Sequence, residues 1–140
     1  IECLTDNKNR TVSDLRHALT KHGGSLGTNG SVSHLFRKVG IMKLLNVTED
    51  DLLEHMDFVD IEDFEMINTD CIIFIKPNEL FNTKKYFESK TIEVVDEEII
   101  MDALTTIEMS KDDEEQISDL SSKIEELDDV QNVYMNASLS

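Results

Sequence analysis

All five glycines of this 140-residue chain fall within residues 5–40, and its one proline, Pro77, lies well beyond them. Glycine reaches backbone conformations that other residues adopt only under strain, so the freest backbone is confined to one window. Inside it, Gly24-Ser25-Leu26-Gly27-Thr28-Asn29-Gly30-Ser31 is too rich in glycine for regular structure and reads as a loop. The same window holds three of the four histidines, His17, His22 and His34. The remainder reads as ordinary packed structure, so any binding region belongs in residues 5–40.

Charge is spread just as unevenly. The formal net charge is −17, yet residues 1–43 carry seven Lys or Arg against three Asp or Glu, and residues 44–140 carry six against 27. Such asymmetry suits a basic face that meets a polyanion on a body that otherwise repels it. With 39% hydrophobic and 31% charged residues, the chain has the balance of a soluble globular protein. No apolar run approaches the roughly 18 residues that span a bilayer, and no signal-peptide pattern opens the chain. Cys3 and Cys71 have no metal-ligand spacing and are expected to be buried, reduced thiols.

Ile1-Glu2-Cys3-Leu4 alternates like the interior of a strand with no lead-in, which predicts further chain upstream. Residues 6–9 form a polar turn, after which Thr11 is the expected N-cap of a helix with Val12, Leu15, Ala18 and Leu19 on its inner stripe. Gly23 sits where a left-handed residue ends that helix. A strand is expected over residues 40–45, and Thr48-Glu49-Asp50-Asp51 opens a second helix with Leu52, Leu53 and Met56 inside. Residues 64–67 and 71–75 read as a hairpin around Asn68-Thr69-Asp70. Pro77 marks the first turn of a third helix with Leu80, Phe81, Lys84 and Phe87 on its stripe. Residues 91–95, 99–104 and 105–109 read as extended. Ser110 caps a fourth helix with Ile117, Leu120, Ile124 and Leu127 inside, and residues 130–135 alternate as a final strand.

The pattern is α+β. Residues 1–42 and 105–140 would supply the two βαβ halves of a discontinuous ferredoxin-like domain, with a small α+β domain of residues 43–104 inserted between them.

The glycine loop has no Lys-Ser/Thr after it, so it is not a P-loop, and it does not follow a strand as a dinucleotide fingerprint would. It can still approach a phosphate backbone closely. His17 and His22 are not spaced as zinc ligands, the acidic runs at 112–115 and 125–129 lack the alternation of a calcium loop, and no nucleophile–base arrangement stands out. No metal, cofactor or catalytic centre is therefore expected. What remains is Lys8, Arg10, Arg16, Lys21, Arg37 and Lys38 around the loop, a set suited to sequence-independent phosphate contacts. Without interleaved aromatics there, backbone and shape recognition are favoured over base readout.

The residues Leu4-Thr5-Asp6-Asn7, Asn9-Arg10-Thr11, Arg16-His17, Lys21, Gly23-Gly24, Leu26-Gly27 and Gly30-Ser31-Val32, with Phe36 and Gly40, closely resemble the YebC/PmpR family. That family includes the mitochondrial translational activator of cytochrome oxidase. Leu127-Asp128-Asp129-Val130-Gln131-Asn132-Val133-Tyr134-Met135-Asn136 is similar to its ending, while Lys90 stands where members often have a glycine turn. The resemblance implies a three-domain protein whose basic, helical N-terminal domain precedes this segment. It also implies transcriptional regulators that bind DNA, or translation factors that act on the ribosome near the peptidyl-transferase region.

The expectation is a non-catalytic, nucleic-acid-binding regulator of gene expression that uses no small-molecule substrate or membrane. It would act in the cytoplasm, or in the mitochondrial matrix of a eukaryote. Its contact set would be Lys8, Asn9, Arg10, Thr11, Arg16, His17, Lys21, Gly24, Gly27, Gly30, Ser31, Arg37 and Lys38, with DNA, ribosomal RNA or the ribosome as partner. The alternative is a ferredoxin-like module that binds a protein or small molecule through its sheet.

Overall fold

Residues 70–75, Asp-Cys-Ile-Ile-Phe-Ile, can bury apolar side chains on an extended backbone, and they form an inner strand of a four-stranded sheet. The computed structural model describes residues 1–139. The fold is α+β, and the chain is shared between two units, Ile1–Phe36 with Ala103–Ser140, and Arg37–Asp102.

In the second unit, β2 (Phe36–Leu44), β3 (Asp63–Ile67), β4 (Asp70–Ile75) and β5 (Val94–Ala103) lie in the order β3-β4-β2-β5. The pairs β3–β4 and β2–β4 are antiparallel, with Gly40 opposite Ile75 and Leu44 opposite Cys71. The hairpin turn uses Asn68 at φ 56°, a left-handed conformation that Asn tolerates better than most residues. Two helices, α2 (Glu49–His55) and α3 (Leu80–Ser89), belong to this unit. Met42, Leu44, Leu52, Cys71, Ile73, Ile75, Leu80 and Phe87 form one buried cluster.

Thr48 caps α2 through a full capping box with Asp51, and a short 3₁₀ turn starting at Pro77 leads into α3. Phe81 and Leu53, expected on inner stripes, are exposed, because Leu80, Thr83 and Phe87 take the inward face of α3 and Leu52 that of α2. Gly40 lies against α3. A Cβ there would stand 2.8 Å from Cγ of Leu80, closer than packed carbon atoms allow.

In the first unit, α1 (Lys8–Lys21) and α4 (Lys111–Glu125) lie against each other and bury Leu15 and Ile124. The strands are short: β1 (Glu2–Cys3) pairs antiparallel with β7 (Val130–Asn132), and β6 (Ile107–Glu108) pairs parallel with β8 (Ala137–Ser138). Where a ferredoxin-like sheet was expected, the strands of this unit form two separate two-stranded pairs among the described residues. Both cysteines are free thiols. Cys71 is buried and its pKa is pushed up to about 11 by desolvation, whereas Cys3 is exposed, contrary to expectation. No helix is long and apolar enough to cross a membrane among the described residues.

Candidate nucleic-acid interface

Helix α1 begins earlier than its sequence suggested. Asn7, not Thr11, is the N-cap, and its side-chain oxygen accepts the amide of Arg10 at 3.1 Å. Thr11 is therefore inside the helix and only 6% exposed. Its hydroxyl donates to Oδ2 of Asp129 at 2.6 Å, so Thr11 offers no face to a ligand. Arg10 is drawn to the same carboxylate: Nη2 donates to Asp129 Oδ1 and Oδ2 at 3.0 Å, and also to Asp6 at 2.9 Å. The amide of Leu4 donates to the Asp129 carbonyl at 2.8 Å. Asp129 thus binds the first strand, the start of α1 and the end of the chain together.

These bonds hold the Asp129 carboxyl below its ordinary pKa, chiefly through the Thr11 hydroxyl and then the Arg10 guanidinium. The same carboxylates raise the pKa of Arg10. The charge of Arg10 is offset locally, and Asp14, Glu126, Asp128 and Asp129 line the cleft beside it. An incoming phosphate would meet mostly negative charge on that side.

The outward face of α1 differs. Asn9, Ser13, Arg16, His17 and Thr20 are exposed along it, bracketed by Lys8 and Lys21. Among the described residues, Lys8, Arg16 and Lys21 have no ion pair. The first turn of α1 contains no acid, whereas α2 and α4 each carry three there; α1 and α4 both begin with a lysine, Lys8 and Lys111. A lysine at the positive end of a helix opposes the macrodipole.

The helix ends in a Schellman motif. Gly23 adopts φ 79°, its amide donates to the Thr20 carbonyl, and the amide of Gly24 donates to the Leu19 carbonyl at 2.8 Å. The His22 ring donates through Nδ1 to the Ala18 carbonyl at 2.9 Å, so His22 is a helix-end group. Beyond it, Gly24, Gly27, Gly30 and Ser31 are all exposed. The amide of Ser31 donates to the Thr28 carbonyl, while no hydrogen bond among the described residues takes the amides of residues 25–30.

Arg37 and Lys38 belong to the other unit. Arg37 is ion-paired with Glu62 at 2.9 Å and lies 4.0 Å from Asp102, whereas Lys38 is exposed without a partner among the described residues. Of the expected phosphate ligands, then, Lys8, Arg16, Lys21 and Lys38 are uncommitted, and Arg10 and Arg37 are engaged.

A group of residues outside the expected set also stands out. Phe58 and Phe81 are exposed, with Lys85 over the Phe81 ring and Lys90 over that of Tyr86. The i, i+4 spacing of Phe81 with Lys85 and of Tyr86 with Lys90 was visible in the sequence, but Phe81 had been placed on an inner stripe.

Residues 1–137 match the family model described as TACO1/YebC second and third domain. Proteins named probable transcriptional regulatory protein are similar along the chain. One from Francisella tularensis is 38% identical over 100% of this chain and 57% of its own length. Others from Pseudomonas putida and Thermoanaerobacter pseudethanolicus are 39% and 38% identical, covering 100% and 99% of this chain and 57% and 58% of theirs. The chain thus spans rather more than half the length of these relatives. A crystal structure of a conserved hypothetical protein from Aquifex aeolicus superposes with a TM-score of 0.82 at 35% identity, over 97% of this chain and 57% of that one.

Proposed function

The chain belongs to the TACO1/YebC family, and from that premise we propose that it is a non-catalytic regulator of gene expression that holds nucleic acid through the outward face of α1 and the adjoining glycine loop. The similar proteins named as transcriptional regulatory proteins support the regulatory part. The observation that carries the contact face is the exposed, unpaired set Lys8, Arg16 and Lys21 on α1, in a chain with 30 acids and 13 Lys or Arg.

Lys8, Arg16 and Lys21 supply phosphate contacts, Asn9, His17 and Ser31 supply neutral polar ones, and the amides around Gly24, Gly27 and Gly30 approach the backbone closely. Arg10 and Thr11 are positioning residues that fix the start of α1 through Asp129. Phosphate recognition of this kind serves a DNA duplex and ribosomal RNA alike.

The test is the double variant Arg16→Glu with Lys21→Glu, measured by fluorescence anisotropy on duplex DNA and on ribosomal RNA across a salt series. Affinity should fall on the physiological target, and the slope of log K against log salt should become shallower by about 0.9 for each lost duplex contact. Unchanged affinity and slope on both targets would refute the assignment. Co-sedimentation with ribosomes, set against duplex binding in equal salt, decides between ribosome and DNA. Arg10 is unsuited to this test, since reversing its charge also breaks the Asp129 contacts.

A further inference from the structure

We propose that Asn29, through its bond to Gly30, is a covalent modification site at which the side-chain amide is lost as ammonia. The glycine loop thereby gains a carboxylate and, in one of the two products, an isoaspartyl backbone. The chemistry needs only this loop, while its effect on nucleic acid rests on the reading of the loop given above.

The chain has nine asparagines, and eight of them precede Lys, Arg, Val, Thr, Glu or Ala. Asn29 alone precedes glycine. Loss of the amide requires the backbone nitrogen of the next residue to reach the asparagine Cγ, an approach that a Cβ on that residue hinders and a glycine permits. The nitrogen must also give up its proton, so it must not already be donating to an acceptor. The Gly30 amide has no hydrogen-bond partner among the described residues. The Ser33 amide and hydroxyl hold the Gly30 carbonyl instead, at 3.2 and 2.8 Å. Finally, the asparagine side chain must be free to turn onto the backbone. That of Asn29 has no hydrogen bond among the described residues, and both residues are exposed to water.

The other asparagines lack this combination. Asn7 is held as the cap of α1 by the Arg10 amide, Asn82 lies inside α3, and Asn132 belongs to strand β7. Asn29 and Gly30 are the two central residues of a turn, with Gly30 at φ 78° and the Ser31 amide donating to the Thr28 carbonyl at 3.1 Å. A turn at an exposed loop tip, closed by one such bond, is where the chain tolerates rearrangement best.

The step needs only water and hydroxide. Hydroxide takes the Gly30 N–H proton, and the nitrogen electron pair forms a bond to Cγ of Asn29. The bond from Cγ to the side-chain nitrogen breaks, and that nitrogen leaves with a proton from water as ammonia. Water then opens the five-membered imide. Opening at Cγ leaves an ordinary aspartate, whereas opening at the backbone carbonyl leaves isoaspartate, with one more carbon in the main chain. Either product puts a negative charge beside the loop amides, and isoaspartate also alters the spacing of the turn. Both changes oppose close approach of a phosphate.

The test is to age the full chain in mildly alkaline buffer beside the Asn29→Gln variant, with unchanged circular dichroism confirming that both stay folded. Peptide mass spectrometry locates the loss of ammonia, and enzymatic carboxyl methylation detects isoaspartate. Asn29 should react before any other asparagine, at a rate that rises with pH, and the methylation signal should be lost in Asn29→Gln. An unmodified Asn29 after a synthetic peptide of residues 26–33 has fully converted overturns the proposal, as does earlier reaction at another asparagine. The aged mixture is then passed over immobilised duplex DNA and ribosomal RNA, where isoaspartate should be depleted from the bound fraction. Equal isoaspartate in bound and free protein overturns the link to binding. If Arg16→Glu with Lys21→Glu weakens binding in the same assay, the α1 face stands and only the role of the loop falls; if it does not, the α1 reading itself has failed.

Discussion

Asp129 shows how much one side chain decides in the first unit. Its carboxylate accepts from Thr11 and Arg10, and also stands 3.1 Å from Thr5 Oγ1. None of this was legible in the sequence. Thr11 followed by Asp14 looks like a helix cap, and its actual partner lies 118 residues further on. Arg10 looks like a phosphate ligand for the same reason: the acid that engages it is remote in sequence. Because the native pKa of Asp129 is depressed, its ionised form is favoured by folding. That contribution is fully present above the ordinary carboxyl pKa and is lost as pH falls through the native value. Asp129→Asn should therefore lower the thermal midpoint at pH 7, and its gap from the parent should close as the melts are moved into acid. A gap that stays constant down to pH 3 would show that shape, not charge, carries the effect.

At the scale of elements, local signals did well where neighbours supply the partners. The hairpin β3–β4 was readable from its alternation and its Asn68-Thr69-Asp70 turn, and both α2 and α4 start at the Thr48 and Ser110 caps the sequence announced. They did less well where a distant element decides. Strand β2 begins at Phe36, four residues before the strand expected over residues 40–45. Gly40 belongs to the strand because α3 crosses it with Leu80 only 9% exposed. Gly40→Ala should cost about 1–3 kcal/mol through overpacking at this crossing, read as a lower urea midpoint with an unchanged slope. A variant as stable as the parent would mean that α3 can shift freely. The exposed ring of Phe81 escaped notice in the same way. An aromatic beside Leu80 fits the apolar stripe, and only the docked helix shows which of the two turns inward.

Over the whole molecule, the two units are unequal in what they bury. The second encloses a cluster of ten buried residues, whereas among the described residues the buried hydrophobics of the first are Leu15 and Ile124. Apolar burial is the main source of stability, so amide hydrogen exchange should be slowest in β2 and β4 and distinctly faster in β1, β7 and α1. Equal protection in both units would contradict this ranking. The discontinuous path of the chain has a further consequence, which concerns the order of synthesis. Residues 37–102 leave the translating ribosome as a finished set, whereas α1 must wait for Asp129. Closing a loop of that length costs on the order of 4 kcal/mol of chain entropy. Strands β2 and β5 are neighbours in the sheet, and the Leu104 amide donates to the Leu35 carbonyl at 2.9 Å. Once the second unit has folded, it has already gathered the two ends of the loop, so the later unit inherits a much shorter gap to close. The inserted segment therefore acts as a folding jig for the segments that flank it.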